Sequence, residues 1–241
     1  IPYSYVAPSS YFQTNVLGTI NLCQAALKND VTRFIQLSTS EVYGSALYTP
    51  IDEKHPIQPQ SPYAASKVSS DSVVYSFART YALPALIARP FNTFGPRQSI
   101  RAIIPTIITQ ILRKAPSVKL GLTKPIRDFN YVTNTTDALI KLITAKYAGI
   151  STLNIGSGTA LSMQEVYETI SNLMNYHGVL EQSQEKIRPE NSEVNHLVCN
   201  FKKISEYVNY IPKIDFELGL KKTIAWFEEN NLANYPTNFS H

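Results

Sequence analysis

Apolar residues recur at helical spacing through Phe12, Val16, Ile20, Cys23 and Leu27. The spacing predicts a helix to about residue 28, opened by Ser9 or Ser10 and closed by Asn29-Asp30. Residues 32–37 then read as a short apolar strand. A loop spotted with Pro50, Pro56, Pro59 and Pro62 leads to a second helix over about 63–81, and residues 84–88 read as a buried strand. This helix–strand–helix–strand order implies a parallel sheet covered by helices.

After Arg89 the texture changes. Residues 103–114 form an amphipathic pattern with Pro105 near its start, and 117–120 and 129–132 read as short strands. A helix is predicted over 136–146, a strand over 152–155 and a helix over 163–175, the last opened by the capping box Ser162-x-x-Glu165. A short strand at 197–199 and helices at 202–207 and 217–230 close the chain. The fold class is therefore α/β: a doubly wound parallel sheet with a smaller C-terminal α/β part. Residues 1–93 and about 127–156 are assigned to the first unit, about 94–126 and 157–241 to the second.

Composition narrows the field. The chain has 241 residues, 44% hydrophobic, enough to bury a core. Net charge is +4 without long basic runs, so no nucleic-acid partner is expected. Cys23 and Cys199 fit no metal or redox spacing and read as reduced, buried thiols of a cytoplasmic protein. No apolar run reaches about 18 residues, so no membrane contact and no leader are expected. Glycine occurs nine times, about half its usual share of roughly 7%. Gly156-Ser157-Gly158 follows a strand and precedes a helix, but Leu161 stands where a third glycine belongs, so a tight turn is the plainer reading. His55 and His196 have no acid or nucleophile at a recognisable spacing.

Two short stretches carry chemistry. Thr39, Ser40 and Glu41 lie just past a strand's carboxyl end, where parallel sheets gather ligands. Tyr63 and Lys67 are four apart and share one helix face. An ammonium beside a phenol stabilises the phenolate, and bringing a tyrosine from its reference value near 10 to neutrality takes about 4 kcal/mol. Lysine together with a cationic nicotinamide ring can supply this. The phenolate then takes a proton from a sugar hydroxyl as hydride leaves the same carbon, and Thr39 orients that hydroxyl. Alone, each stretch reads as a solvated helix face or turn chemistry. Together, after successive strands, they read as a catalytic set.

The chain resembles the extended short-chain dehydrogenase/reductase family that acts on nucleotide sugars. The matching pieces are TNVLGT (14–19), LSTSEVYG (37–44), SPYAASK (61–67), RPFNTFGPRQ (89–98), RDFNYV (127–132), LNIGSG (153–158) and FELGLKKTIAWFEEN (216–230), spread over nearly the whole chain. Epimerases of this family usually lack an acid at the Glu41 position; 4,6-dehydratases carry Thr-Asp-Glu or Thr-Ser-Glu. The resemblance thus implies an NAD-dependent nucleotide-sugar 4,6-dehydratase, a lyase. Oxidation at C4 acidifies the C5 proton, Glu41 removes it, and Ser40 or a water that it holds assists loss of the C6 hydroxyl. IPYSYVAP and NTFGPRQS are similar to dehydratases acting on UDP- or GDP-linked N-acetylglucosamine in legionaminic-acid synthesis.

By the same resemblance Tyr63, Lys67, Arg89, Pro90 and Phe91 contact NAD, and Thr39, Asn92, Arg127 and Arg188 contact the nucleotide sugar. Asn15 is implied to be structural, no metal is implied, and a homodimer is expected. The family's glycine-rich loop, its first strands and its NAD-selecting acid are expected to precede Ile1, making the chain N-terminally truncated. Rival readings remain. A UDP-glucuronate decarboxylase should carry arginine where Val68 follows Lys67. A 4-epimerase is disfavoured by Glu41; a non-catalytic dinucleotide-sensing or interaction protein is disfavoured by the intact Thr-Glu-Tyr-Lys set and favoured by the missing N-terminal part.

Overall fold

The computed structural model describes residues 1–184 and 189–230. Helices α1 (Pro2–Val6) and α2 (Pro8–Phe12) each open on proline, whose missing N–H is one that a first turn leaves unused. A π-turn at Gln13–Leu17 joins α2 to α3 (Gly18–Lys28). Ser9 and Ser10 do not cap this region: Ala7 holds the N-cap position, and Ser10 Oγ donates back to the Ala7 carbonyl. Strand β1 (Phe34–Leu37) runs into a 3-10 turn at Ser40–Tyr43. Helix α4 (Pro62–Thr80) starts at Ser61, whose Oγ accepts from the Ala64 N–H. Then come β2 (Ala85–Pro90), β3 (Asn92–Phe94), α5 (Ile103–Leu112), β4 (Ser117–Leu120), β5 (Ile126–Tyr131), α6 (Val132–Thr144) and β6 (Ser151–Ile155). The chain continues through β7 (Ala160–Ser162), α7 (Met163–Leu173), β8 (Val179–Gln182), β9 (His196–Leu197), α8 (Lys202–Val208) and α9 (Phe216–Glu229).

Strands β1, β2 and β6 form a parallel sheet in that order. Residues 85–88 of β2 are all buried, as expected for a strand covered on both faces. Its alternate side chains serve opposite layers. Leu86 and Ala88 pack with Ala138 and Leu142 of α6, while Ala85 and Ile87 pack with Cys23 of α3 and Val74 of α4. A second sheet centres on β5, which pairs in parallel with β3 and β9 and antiparallel with β7. Strands β4 and β8 form a separate parallel pair. The core around Phe94, Ile107, Ile108 and Phe129 joins this part to α7 and α9.

Register places the ends of β1 and β2 side by side, Leu37 opposite Ala88. Gly44 ends the 3-10 turn at φ 65, ψ −156, a region essentially reserved for glycine. A Cβ there would lie 2.1 Å from the Gln58 carbonyl oxygen. Gly44→Ala is expected to cost on the order of 1–3 kcal/mol in backbone strain alone. Urea unfolding should show a lower midpoint with unchanged slope; a wild-type midpoint would show that the turn adapts freely.

Candidate active site

The site forms where β1 and β2 end, the place at which parallel sheets expose ligand-binding groups. Thr39 leaves β1 in extended conformation and caps the 3-10 turn, its Oγ1 accepting from the Glu41 N–H at 3.3 Å. That cap fixes where the half-buried Glu41 side chain starts. Ser40 is buried in the same turn. From α4, Tyr63 hydrogen-bonds Thr39 and feels the charge of Glu41. The structure thus brings four of the predicted residues, Thr39, Glu41, Tyr63 and Lys67, to one strand end.

Their electrostatics differ from the expectation that lysine lowers the phenol. Burial pushes the Tyr63 phenol above its ordinary value; Glu41 and Tyr11 push the same way, and the Thr39 hydrogen bond opposes. Burial lowers the Lys67 ammonium, opposed by the charge of Asp71. Lys67 Nζ donates to the Leu37 carbonyl at 2.5 Å. The lysine is therefore turned to the strand end, and burial is the largest influence on the tyrosine.

Beneath these groups lies a buried polar network. Asp71 Oδ2 accepts from Ser38 Oγ at 2.8 Å and from Arg89 Nη2 at 2.9 Å. Arg89 Nη1 donates to the Tyr43 hydroxyl at 3.1 Å, and that hydroxyl donates to Asn154 Oδ1 at 2.7 Å. Burial lifts the Tyr43 phenol to about 12. Asn15, in the π-turn, donates through Nδ2 to Ser66 Oγ at 2.9 Å, and its carbonyl accepts from Ser70 Oγ at 2.7 Å. Both serines flank Lys67 on α4.

The structure narrows the other assignments. The Arg89 side chain is committed to Asp71 and Tyr43, and Phe91 is buried among Val42, Tyr43, Ile51 and Leu197. Any cofactor contact from this turn falls to Pro90 and the backbone. Asn92 is half-buried at the start of β3. Arg127 is buried and ion-paired with Glu193 at 3.2 Å, so a phosphate there would compete with that carboxylate. Arg188 lies outside the described residues. His55 accepts from the Leu47 N–H through Nε2 and sets its Nδ1 2.8 Å from the Pro56 carbonyl, a loop-bracing role.

The turn at Gly156–Gly158 is filled from within. The Asp128 carboxylate takes the N–H groups of Ser157, Gly158 and Cys199 and the Ser157 hydroxyl, at 2.6 to 3.1 Å. These amides cannot also cradle a pyrophosphate, which bears out the reading as a plain turn. Ser38, Asp71 and Asp128 escaped the sequence reading. Asp71 had a signal: it is the only acid in α4, one helical turn beyond Lys67. Among the described residues, no cluster of three or more His, Cys, Asp or Glu could hold a metal, and no helix is long and apolar enough to cross a membrane.

Comparison with known proteins agrees with this geometry. Residues 1–223 match the family model described as GDP-mannose 4,6 dehydratase. A dTDP-glucose 4,6-dehydratase of an Actinoplanes species is 31% identical over 227 residues, covering 94% of this chain and 70% of that protein. The Streptomyces venezuelae dTDP-glucose 4,6-dehydratase DesIV, solved with NAD, superposes with TM-score 0.87 at 29% identity, covering 96% of this chain and 70% of that one. The UDP-N-acetylglucosamine 4-epimerase of Methanobrevibacter ruminantium, also 29% identical, gives 0.86 and covers 95% and 74%. With most of its length matched to that model, and with relatives that dehydrate or epimerise nucleotide sugars, the chain belongs to the GDP-mannose 4,6-dehydratase family.

Proposed function

We propose that this chain carries the catalytic residues of an NAD-dependent nucleotide-sugar 4,6-dehydratase acting in the cytoplasm. The observation that carries the reading is Glu41, held by the Thr39 cap beside the Tyr63 phenol. A site needing only oxidation at C4 has no use for a carboxylate there. The residues fit the nicotinamide end of a dinucleotide: a half-buried phenol and ammonium at adjoining parallel strand ends. When bound, NAD supplies the hydride acceptor, the hydride returned at C6 and a positive ring charge.

The chain's own residues do the rest. Thr39 orients the C4 hydroxyl, and Tyr63 takes its proton as the C4–H bond breaks and the ketone forms. Glu41 takes the C5 proton, the C5–C6 double bond forms, and the C6 hydroxyl leaves as water with a proton returned from the Glu41 carboxyl. Buried Ser40 backs that departure through the turn or a held water. Pro90 would contact the nicotinamide end of bound NAD, while Asn92, Arg127 and Arg188 would hold the nucleotide sugar. We assign residues 1–93 and about 127–156 to the dinucleotide unit and the remainder to the sugar unit. The exposed Val6, Leu17 and Leu22 offer a face for a homodimer.

UDP- or GDP-linked N-acetylglucosamine is the substrate favoured by the sequence. The test is a panel of dTDP-, UDP- and GDP-linked glucose and N-acetylglucosamine, with protein in a form competent to bind NAD. The expected product is a 4-keto-6-deoxy sugar without lasting NADH accumulation. Release of a 4-epimer with C6 still hydroxylated would overturn the dehydratase assignment.

A further inference from the structure

We propose that Asp71 is a positioning residue for this reaction, keeping the Lys67 ammonium charged and tying the strand end that bears Thr39 to the helix that bears Tyr63. Asp71 is only 3% exposed. Its Oδ2 is fully engaged: Ser38 Oγ reaches it from the end of β1, and Arg89 Nη2 and Nε reach it from β2, at 2.8, 2.9 and 3.2 Å. Its Oδ1 is buried with no hydrogen-bond partner among the described residues. Leaving half of a buried carboxylate idle costs free energy, so such an exception in a folded protein asks for a reason.

The helix supplies one. Asp71 stands four residues after Lys67, on the same face of α4. The two charges interact, Asp71 favouring the ammonium that burial disfavours. The other groups around this pair are Arg89 from β2, Tyr43 from the 3-10 turn, and Tyr63, itself faced by Glu41 and Tyr11. Arg89 offsets much of the Asp71 charge, so the expected effect on Lys67 is moderate. The Ser38 bond adds a geometric effect. Thr39 follows Ser38 directly, so anchoring Ser38 to α4 fixes the distance between the Thr39 and Tyr63 hydroxyls.

Asp71→Asn tests this by removing the charge at nearly constant size. The direct readout is titration of Lys67 by 13C NMR of its ε-methylene, assigned by comparison with Lys67→Arg. Its midpoint should fall by about one pH unit, a tenfold change in the protonation equilibrium, and Asp71→Glu should restore it. The double variant Asp71→Asn/Arg89→Gln keeps a neutral contact in place of the buried ion pair, a replacement that cores often tolerate. It should show the same direction, by a smaller amount because the offsetting Arg89 charge goes with the carboxylate, and keeps the test open if the single variant does not fold. An unmoved Lys67 midpoint in either folded variant overturns the proposal. The kinetic readout rests on the dehydratase reading: the alkaline limb of kcat should move down in pH with KM for the sugar little changed. Lack of any dehydratase turnover would sink that reading while leaving the Lys67 titration interpretable. A rate loss uniform across pH would mark Asp71 as merely structural.

Discussion

Tyr63→Phe should slow turnover on the order of 10²–10⁴-fold, the range that a positioned general acid–base group contributes. The phenol hydrogen-bonds Thr39 and faces the Glu41 charge, the position from which the proton must be taken. Both half-reactions should fail together, because water cannot leave C5–C6 until a ketone at C4 has acidified the C5 proton. The pH dependence follows from the raised Tyr63 phenol. Burial, Glu41 and Tyr11 all favour its protonated form, so the basic form is scarce at low pH and activity should climb as pH rises. Single-turnover absorbance of NADH gives the oxidation step directly. A variant that still reduces NAD at a tenth of the wild-type rate or better would remove Tyr63 from the mechanism.

Glu41→Gln should separate the two steps. The amide keeps the side chain's size and the Thr39 cap, which uses the backbone N–H of residue 41 and not its carboxylate. Oxidation at C4 should persist, eased by the loss of one of the charges that raise the Tyr63 phenol. Loss of water should drop by a general-base factor on the order of 10²–10⁴. NADH should then accumulate with a 4-keto sugar that retains its C6 oxygen, seen as a product about 16 mass units (one oxygen) heavier than the 4-keto-6-deoxy sugar. Ordinary yields of dehydrated sugar from this variant would mean that another base takes the C5 proton.

Much of this was legible in the sequence because period and chemistry coincide. The apolar run around Leu86 and Ile87 announced a doubly covered strand, and the Ser162–Glu165 capping box announced the start of α7 to the residue. The tyrosine–lysine spacing put both groups on one face of α4, where they are found. What stayed hidden depends on tertiary contact. Strands β3, β7 and β8 are three or four residues long and half-exposed, too short for a period-2 pattern to stand out. Arg89 looked like a ligand group because it adjoins the site; only the fold shows Asp71 beneath it. Asp128 could not be connected to the glycine turn, about thirty residues away, without the β5–β6 arrangement that brings them together. The depth at which Tyr63 is buried, which raises its phenol in the chain by itself, was likewise hidden, since spacing reveals a neighbouring lysine but not burial.

The π-turn at Gln13–Leu17 makes chain length a functional variable. A π-turn holds one residue more than the α-helical path it interrupts. Removing one residue between 13 and 17 would therefore relax it to a regular helix while α2 and α3 keep facing as they do now, with Tyr11 still edge-on to Tyr63, centroids 6.0 Å apart. The local loss would fall on Asn15, inside the turn, which meets Ser66 and Ser70. A deletion elsewhere in α2 or α3 has no extra residue to absorb it. Each residue of an α-helix carries about 100° of rotation, so such a deletion would turn one flank by that angle and part Tyr11 from Tyr63. The same one-residue change is thus mild inside the turn and a change of register on either side of it.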